Sequence, residues 1–448
     1  MAAPRSRFRD ISARRGLPFA FANPLMHRMT AVSTTPPPAP RVLGFKELVA
    51  LVAMLMALNA LAIDSMLPAL PAIGNALGVV EDNSRQWVVT AYLLGFGFAQ
   101  LFYGPLADRF GRRPLLFVGV GLYVLFSFLA AMATSFETLL IARVLQGVGA
   151  ASTRVLAVAI VRDCYGGRRM AQVMSLAFLV FLGVPVIAPS LGAAIVAFGP
   201  WRAIFAVLGL WGAAVLIWAL IRLPETLKPE DRLPIRFGRL MAAYRQTLTT
   251  RVAVGYMLGS TMIMGCLFGF INSSQQIFAD VFRQEALFPI IFAVIASGIA
   301  AASLINARLV ERLGTRLLSH TALIGFTVLS AIHLALTLTG FENIVTFTVM
   351  QTLVMFCFGF VAGNFGAMAM EPLGHIAGTA SSVQGTVSSV IGALAGFYIG
   401  QQFDGSVTPM ALGFTVCGAI AIAIVLWAEG GRLFRSRHLP PGSAAQGA

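Results

Sequence analysis

One acid stands inside the first long apolar run of the chain, Asp64, within Ala62-Ile63-Asp64-Ser65-Met66-Leu67-Pro68-Ala69-Leu70-Pro71. A bare carboxylate in hydrocarbon is costly, so this side chain is expected to face the interior of a helix bundle. A carboxyl group poised between its charged and neutral forms can trade a proton against the arrival of a substrate. The alternative is a permanently ionised aspartate that pairs with a neighbouring arginine and only locks two helices together. Further along, Arg143, Gln146, Gly147, Ala150 and Arg154 recur at helical spacing and share one face. Arg143 and Arg154 are 11 residues apart, about 16 Å along that face. Counted from the ends of the apolar runs, Arg143 lies at about the depth of Asp64, where its charge would act on the acid's proton equilibrium, with Gln146 in the same polar network. The competing reading has Arg143 snorkelling to the interface. Arg154, deeper in the run, either binds substrate, closes an inner gate or bridges to another helix.

A second concentration of charge is Gly104-Pro105-Leu106-Ala107-Asp108-Arg109-Phe110-Gly111-Arg112-Arg113, set between two uncharged apolar runs. Four charges cannot rest in hydrocarbon, so this turn is expected at a membrane surface. A related copy follows 203 residues later as Glu311-Arg312-Leu313-Gly314-Thr315-Arg316. Asp108, Arg109, Gly111 and Arg113 map onto Glu311, Arg312, Gly314 and Arg316, which suggests two related halves. Thr315 replaces one arginine, so the second copy is expected to hold less firmly.

The elements that must position these residues follow from composition. The chain has 448 residues, 58% of them hydrophobic and 11% charged, where a soluble globular chain would carry about 25% charge. Repeated apolar windows of roughly 20 residues mark a helical membrane protein, and the short alternating segments of a β-barrel are absent. The net charge of +14 would suit a polyanionic partner, yet all but five of the 32 Lys and Arg fall in segments that are cytoplasmic if both termini are. That is the positive-inside bias, so no nucleic-acid partner is expected. The cysteines, Cys164, Cys266, Cys357 and Cys417, show no metal or redox spacing.

Hydropathy places twelve spans near 46–73, 86–107, 114–134, 138–162, 170–196, 201–222, 251–279, 287–308, 317–339, 343–370, 378–401 and 409–429. The domain reading is a basic tail at 1–45, a six-helix bundle at 46–222, a cytoplasmic linker at 223–250, a second bundle at 251–429 and a tail at 430–448. An Arg-rich leader with few acids also imitates an organellar transit peptide, and Met26 or Met29 offers an alternative start. In span 5, Gly183, Pro185, Pro189 and Gly192 permit bending and close packing. Pro68 and Pro71 are expected to bend or interrupt the outer part of span 1. In the second half, Asn272, Gln275, Gln276, Asn364 and Gln384 are polar residues in apolar runs, each either cavity lining or helix glue. His333 reads as a packing residue, and Glu371 as a latch or a proton site.

The turn at 104–113 resembles the signature loop between spans 2 and 3 of the major facilitator superfamily. Residues 62–71, Arg143-Val144-Leu145-Gln146-Gly147-Val148-Gly149-Ala150 and Ala188-Pro189-Ser190-Leu191-Gly192 resemble its drug–proton antiporters, particularly the bicyclomycin- and chloramphenicol-resistance branch. Ala377-Gly378-Thr379-Ala380-Ser381-Ser382 in span 11 does too. The chain departs from that pattern at Ala188 and at Gly192-Ala193, where glycines are preferred.

The resemblance implies an all-α membrane protein, with twelve transmembrane helices in two pseudo-symmetric six-helix bundles (major facilitator fold). It implies proton-coupled export of drugs or small amphipathic compounds by alternating access. Asp64 would carry the proton and Arg143 would tune it. Gln146, Arg154, Asn272, Gln276 and Asn364 would line the substrate cavity. Gly104, Asp108, Arg109, Gly111 and Arg112 would form a conformational latch: Asp108 meets the start of span 11 near Gly378 to Ser382, and Arg112 pairs with Asp163 at the end of span 4. The expected partners are a small-molecule substrate, protons and the lipid bilayer, with no cofactor or metal. A monomer in a bacterial inner membrane is expected, with both termini cytoplasmic. The runner-up is a proton-coupled metabolite transporter on the same fold. A membrane-embedded enzyme would need a nucleophile–base pair or clustered metal ligands, and a receptor would need a large external or cytoplasmic domain. The sequence offers none of these.

Overall fold

The computed structural model describes residues 43–434 apart from residue 235. The tail read at 1–45 lies almost wholly outside the described residues, as does most of that at 430–448. Among the described residues every regular element is helical. The long helices are α1 (Phe45–Asp64), α2 (Trp87–Phe110), α3 (Arg112–Ala131), α4 (Phe136–Cys164), α5 (Gly167–Phe198) and α6 (Arg202–Arg222) in the first half. In the second half they are α7 (Arg251–Gln276), α8 (Phe288–Leu313), α9 (Thr315–Leu338), α10 (Ile344–Met370), α11 (Ala377–Gln401) and α12 (Thr408–Ala428). Apolar segments of this length must satisfy their own backbone groups in hydrocarbon, and a helix does so within one segment.

Among the described residues, eleven continuous helical stretches are long and apolar enough to cross a membrane, and one of them, Ile344–Gln401, is 58 residues long. At 1.5 Å per residue that far exceeds one crossing. The stretch breaks within Glu371–Ile376, where Leu373 has φ −117° and ψ 21°, and so supplies both α10 and α11. The helices match the spans read from hydropathy to within a few residues, with one informative exception. Regular helix in span 1 stops at Asp64 instead of continuing to 73; a 3₁₀ turn at Leu67–Ala69 and a short helix at Leu70–Ala76 follow. Pro68 and Pro71 account for the break, because neither can donate to the preceding turn. The other half has a counterpart, since α7 passes into a π-helical turn at Ile277–Val281.

The α2–α3 and α8–α9 connections are tight turns on a single glycine in each half, Gly111 at φ 101° and Gly314 at φ 80°. Side chains other than glycine rarely accept such values, so the repeated acid-Arg-x-Gly pattern is a repeated backbone geometry. The end of the bundle carrying these glycines is the turn end; the opposite end carries the α1–α2 and α7–α8 connections. Helices α4 and α10 start with side-chain caps. Ser135 and Thr138 form a reciprocal capping box, and Asn343 accepts from the backbone N–H of Val345 and Thr346.

Two thirds or more of the apolar window is buried in α1, α2, α4 and α7, against 17% in α5. Outward faces of α3, α6 and α9 carry exposed Val118, Leu125, Leu210, Ile217, Val328 and Ile332, an apolar belt that only lipid would cover. The two halves meet where α2 packs on α11 and α5 on α8. A linker helix, Phe237–Thr249, bonds to both: Tyr244 Oη donates to Leu101 O at 3.2 Å, and the Gln246 and His375 side chains meet at 3.0 Å.

Candidate functional site

Asp64 is the last regular residue of α1, immediately before the break, and is 4% exposed. Among the described residues no ion pair or hydrogen bond reaches its carboxyl. Its position is fixed from both sides. Ser65 stays helical and donates its hydroxyl to Leu61 O at 2.6 Å. Gly192 on α5 packs directly on Ser65 O, at a distance that leaves no room for a β-carbon. Of the span 5 residues singled out, Gly192 thus touches the site. Gly183 has open space where a side chain would project, and Pro185 and Pro189 lie within a continuous helix.

Arg143 is fully buried on α4. Its guanidinium donates to Val88 O at 2.9 Å, to Ala62 O at 3.0 Å and to Gln146 Oε1 at 2.6 Å. It also lies over the Tyr92 ring, 4.5 Å from the centroid. No ion pair joins it to Asp64. It grips instead the α1 backbone two residues earlier, so a fixed cation orients the helix end that carries the acid. The network runs on: Gln146 Nε2 donates to Ser127 Oγ at 2.7 Å, Tyr92 Oη donates to Asn59 Oδ1 at 3.0 Å, and Asn59 Nδ2 donates to Thr153 Oγ1 at 2.8 Å. Four helices, α1 to α4, are thereby cross-linked around one unpaired carboxyl. Sequence reasoning missed Asn59, Tyr92, Ser127 and Thr153. Asn59 carried a signal, being the one other strongly polar residue in the interior of α1.

Arg154, one residue beyond Thr153, is exposed on the α4 face it shares with Arg143, and no hydrogen bond or ion pair holds it among the described residues. In the second half the polar residues divide. Asn364 and Asn306 exchange amide hydrogen bonds at 2.9 and 3.2 Å, joining α10 to α8, so Asn364 is satisfied within the protein. Asn272 is 1% exposed, and both polar atoms of its side chain lack a partner.

Gln276 belongs to a third structure, a cluster of carboxamides at the end opposite the glycine turns. Gln86 Nε2 donates to Gln276 Oε1 at 2.7 Å and to Gly400 O at 3.0 Å; Gln276 Nε2 donates to Asn83 Oδ1 at 2.6 Å. Asn83 Nδ2 donates to Gln401 O at 3.1 Å and Phe403 O at 3.0 Å, and Gln401 Nε2 donates to Asn83 O at 2.7 Å. These bonds cross between the halves and carry no charge. Gln86 and Asn83 were not singled out from sequence, because Gln86 is the first residue of an apolar run and Asn83 precedes it.

At the turn end, Arg112 donates to Asp108 Oδ1 at 2.7 Å and to Asp163 Oδ2 at 2.9 Å, so the α2–α3 turn is tied to the end of α4. Glu225, beyond α6, accepts from the backbone N–H of Arg112 at 2.9 Å and Arg113 at 3.2 Å. It was missed because its partners are main-chain groups. The Asp108 carboxyl faces Arg112 and not the start of α11; the approach to α11 comes one turn earlier, where a β-carbon on Gly104 would sit 3.1 Å from Ser382 Oγ. Arg109 stacks on Phe110. In the other half Arg316 donates to Glu371 Oε2 at 2.8 Å and Glu429 Oε1 at 3.1 Å, Tyr256 Oη donates to Glu429 Oε1 at 2.6 Å, and His320 Nε2 lies 3.0 Å from Tyr256 Oη. Glu371 is thus ion-paired, and the second copy of the turn is held by two acids through one arginine. His333 meets Glu342 Oε1 at 3.0 Å. No group of three or more His, Cys, Asp or Glu among the described residues is placed to hold a metal ion.

Among the described residues, twelve long apolar helices in two halves, with buried polar residues on the inner ones, make a helical membrane protein fold. The sequence profile of the Major Facilitator Superfamily matches residues 52–397, and the chain belongs to that superfamily. It is 31% identical over 376 residues to an uncharacterized MFS-type transporter, YdgK, of Bacillus subtilis, covering 83% of this chain and 93% of that protein. It is 30% identical over 369 residues to a bicyclomycin resistance protein homolog of Haemophilus influenzae, covering 80% and 90%. It is 30% identical over 348 residues to a chloramphenicol resistance protein of Pseudomonas aeruginosa, covering 77% and 79%. Among solved structures, the human organic anion transporter MFSD10 (TETRAN) superposes with a TM-score of 0.65 at 18% identity, covering 86% of this chain and all of that one; this likeness concerns the fold. The protein is a multi-pass membrane transporter of small molecules and not an enzyme.

Proposed function

We propose that the protein exports drugs or small amphipathic compounds in exchange for protons, by alternating access between its two halves. The relatives named for bicyclomycin, chloramphenicol and multidrug resistance support the cargo class. One observation carries the coupling: a buried, unpaired carboxyl stands at a helix break, inside a network that anchors everything around it except the acid itself. An acid held this way is costly to leave ionised, so its protonation is readily displaced by a polar or cationic group that enters beside it. Asp64 is the proton carrier, Arg143 its positioning partner and Arg154 a contact for cargo. The turn end is cytoplasmic, as the arginine distribution supports. The protein then sits in a bacterial inner membrane as a monomer with both termini inside, the Arg112 latch facing the cytoplasm and the carboxamide cluster facing outward.

Asp64→Asn should abolish proton-gradient-driven chloramphenicol transport in inverted vesicles, with the protein still present at wild-type level in the membrane. Undiminished gradient-driven transport by that variant would overturn the proton assignment.

A further inference from the structure

The carboxamide cluster has an unfinished underside. Gln86 and Gln276 face each other across α2 and α7 at 2.7 Å. One helical turn deeper on each helix stand Thr90 and Asn272, four residues along and hence on nearly the same face as the bonded glutamines. Thr90 is fully buried and Asn272 is 1% exposed, yet Thr90 Oγ1, Asn272 Oδ1 and Asn272 Nδ2 all lack a partner. Asn272 is held beside the cluster through α11: a methyl group added at Gly400 would meet Gln86 Cδ at 2.9 Å and Asn272 Cβ at 3.0 Å, and Thr90 is one helical turn from that same Gln86. The 3₁₀ turn at Leu67–Ala69, which follows Asp64, packs on α7 as well. Buried polar groups in folded proteins are overwhelmingly hydrogen-bonded, and three orphan atoms on two helices that both pack on α11 are an exception that requires a reason. In this arrangement no protein group satisfies them, and the neighbouring Gln86, Gln276, Asn83 and Gln401 are engaged with one another.

We propose that Thr90 and Asn272 form a cargo subsite on the inner side of the carboxamide seal, which takes an uncharged group that both donates and accepts hydrogen bonds. An asparagine side chain offers two N–H donors and a carbonyl acceptor, and a threonine hydroxyl one of each. An amide or an alcohol fits that set, whereas the orphan atoms include no charge to balance a carboxylate or an ammonium group. This subsite rests on the efflux reading above and specifies what such cargo presents at the last stage before the seal parts.

The test compares chloramphenicol, which carries an amide and two hydroxyls, with tetraphenylphosphonium, which carries no hydrogen-bonding group. Asn272→Leu and Thr90→Val replace the orphans with apolar groups of similar size. Asn272→Leu should raise the half-saturating chloramphenicol concentration by roughly fivefold or more, the effect of one lost buried hydrogen bond, and Thr90→Val by less. Tetraphenylphosphonium transport should be unchanged in both, and the thermal midpoint of each purified variant should not fall. Equal losses for the two probes, or no change for either, would overturn the subsite while leaving the efflux reading intact. A wild type that exports neither probe would overturn the efflux reading, and the subsite with it.

Discussion

The two ends of the molecule are held by different chemistry. At the turn end the bonds are ionic, and each stays within one half: Arg112 with Asp108 and Asp163, Arg316 with Glu371 and Glu429. Every other ion pair among the described residues also stays within a half, including Arg222 with Glu47 and Arg85 with Asp82. The side-chain hydrogen bonds that cross between the halves are neutral: the Gln86–Gln276–Gln401–Asn83 cluster, and Gln100 Nε2 donating to Ser389 Oγ at 3.1 Å. Breaking a buried ion pair by losing one partner costs about 3–5 kcal/mol, and a neutral hydrogen bond contributes about 0.5–1.5 kcal/mol net. A seam that parts on every transport cycle is suited to the weaker bonds, and a half that moves as a rigid body to the stronger ones. The two copies of the glycine turn differ along the same line. Glu429 is 2% exposed, while Asp108 is 42% exposed, so the second half carries the more permanent staple.

The contrast can be broken first where it is strongest. Arg316→Met should destabilise the protein most, by about 3–5 kcal/mol, because it removes the guanidinium that pairs with the buried Glu429 and with Glu371; thermal unfolding of the purified protein reads this directly. Arg112→Met should cost about 1–3 kcal/mol in the same assay, since solvent already screens Asp108. An inverted order would show that the first half holds the firmer staple. Gln86→Leu removes donations to Gln276 and Gly400 and should favour the open seal by about 1–2 kcal/mol, roughly tenfold in the ratio of states, with little change in the unfolding midpoint. Labelling of a cysteine placed at Asn272 should quicken accordingly. Gln100→Leu, which loses one crossing bond, should shift that ratio by less than about 1 kcal/mol.

Much of the fold was legible in the residues, because long apolar runs leave a chain few options and the repeated acid-Arg-x-Gly pattern gave away the internal duplication. The break after Asp64 was foreshadowed by Pro68 and Pro71, although hydropathy alone ran the helix on to residue 73. The site was legible in its charges and opaque in its amides. Asp64, Arg143, Arg112 and Asp163 stand out because a charge in or beside hydrocarbon demands a reason. Gln86, Asn83 and Glu225 sit at helix ends, where polar residues are ordinary, and their partners lie more than a hundred residues away. Pairing across such distances has no local signature. The pairing of Arg316 was also hidden, since the repeat aligns it with Arg113 while its two ion pairs are those of Arg112's kind.

The most direct measurement is the distance across the seal, taken by spin labels on the α1–α2 and α11–α12 connections in the wild type and in the double variant Gln86→Leu with Gln276→Leu. Neutral amides as the bonds that join the halves predict a shift of the distance distribution toward the wider state in the double variant, with the wild-type distribution indifferent to salt concentration. An unchanged distribution in the double variant, or a wild-type seal that opens as salt rises, would contradict it.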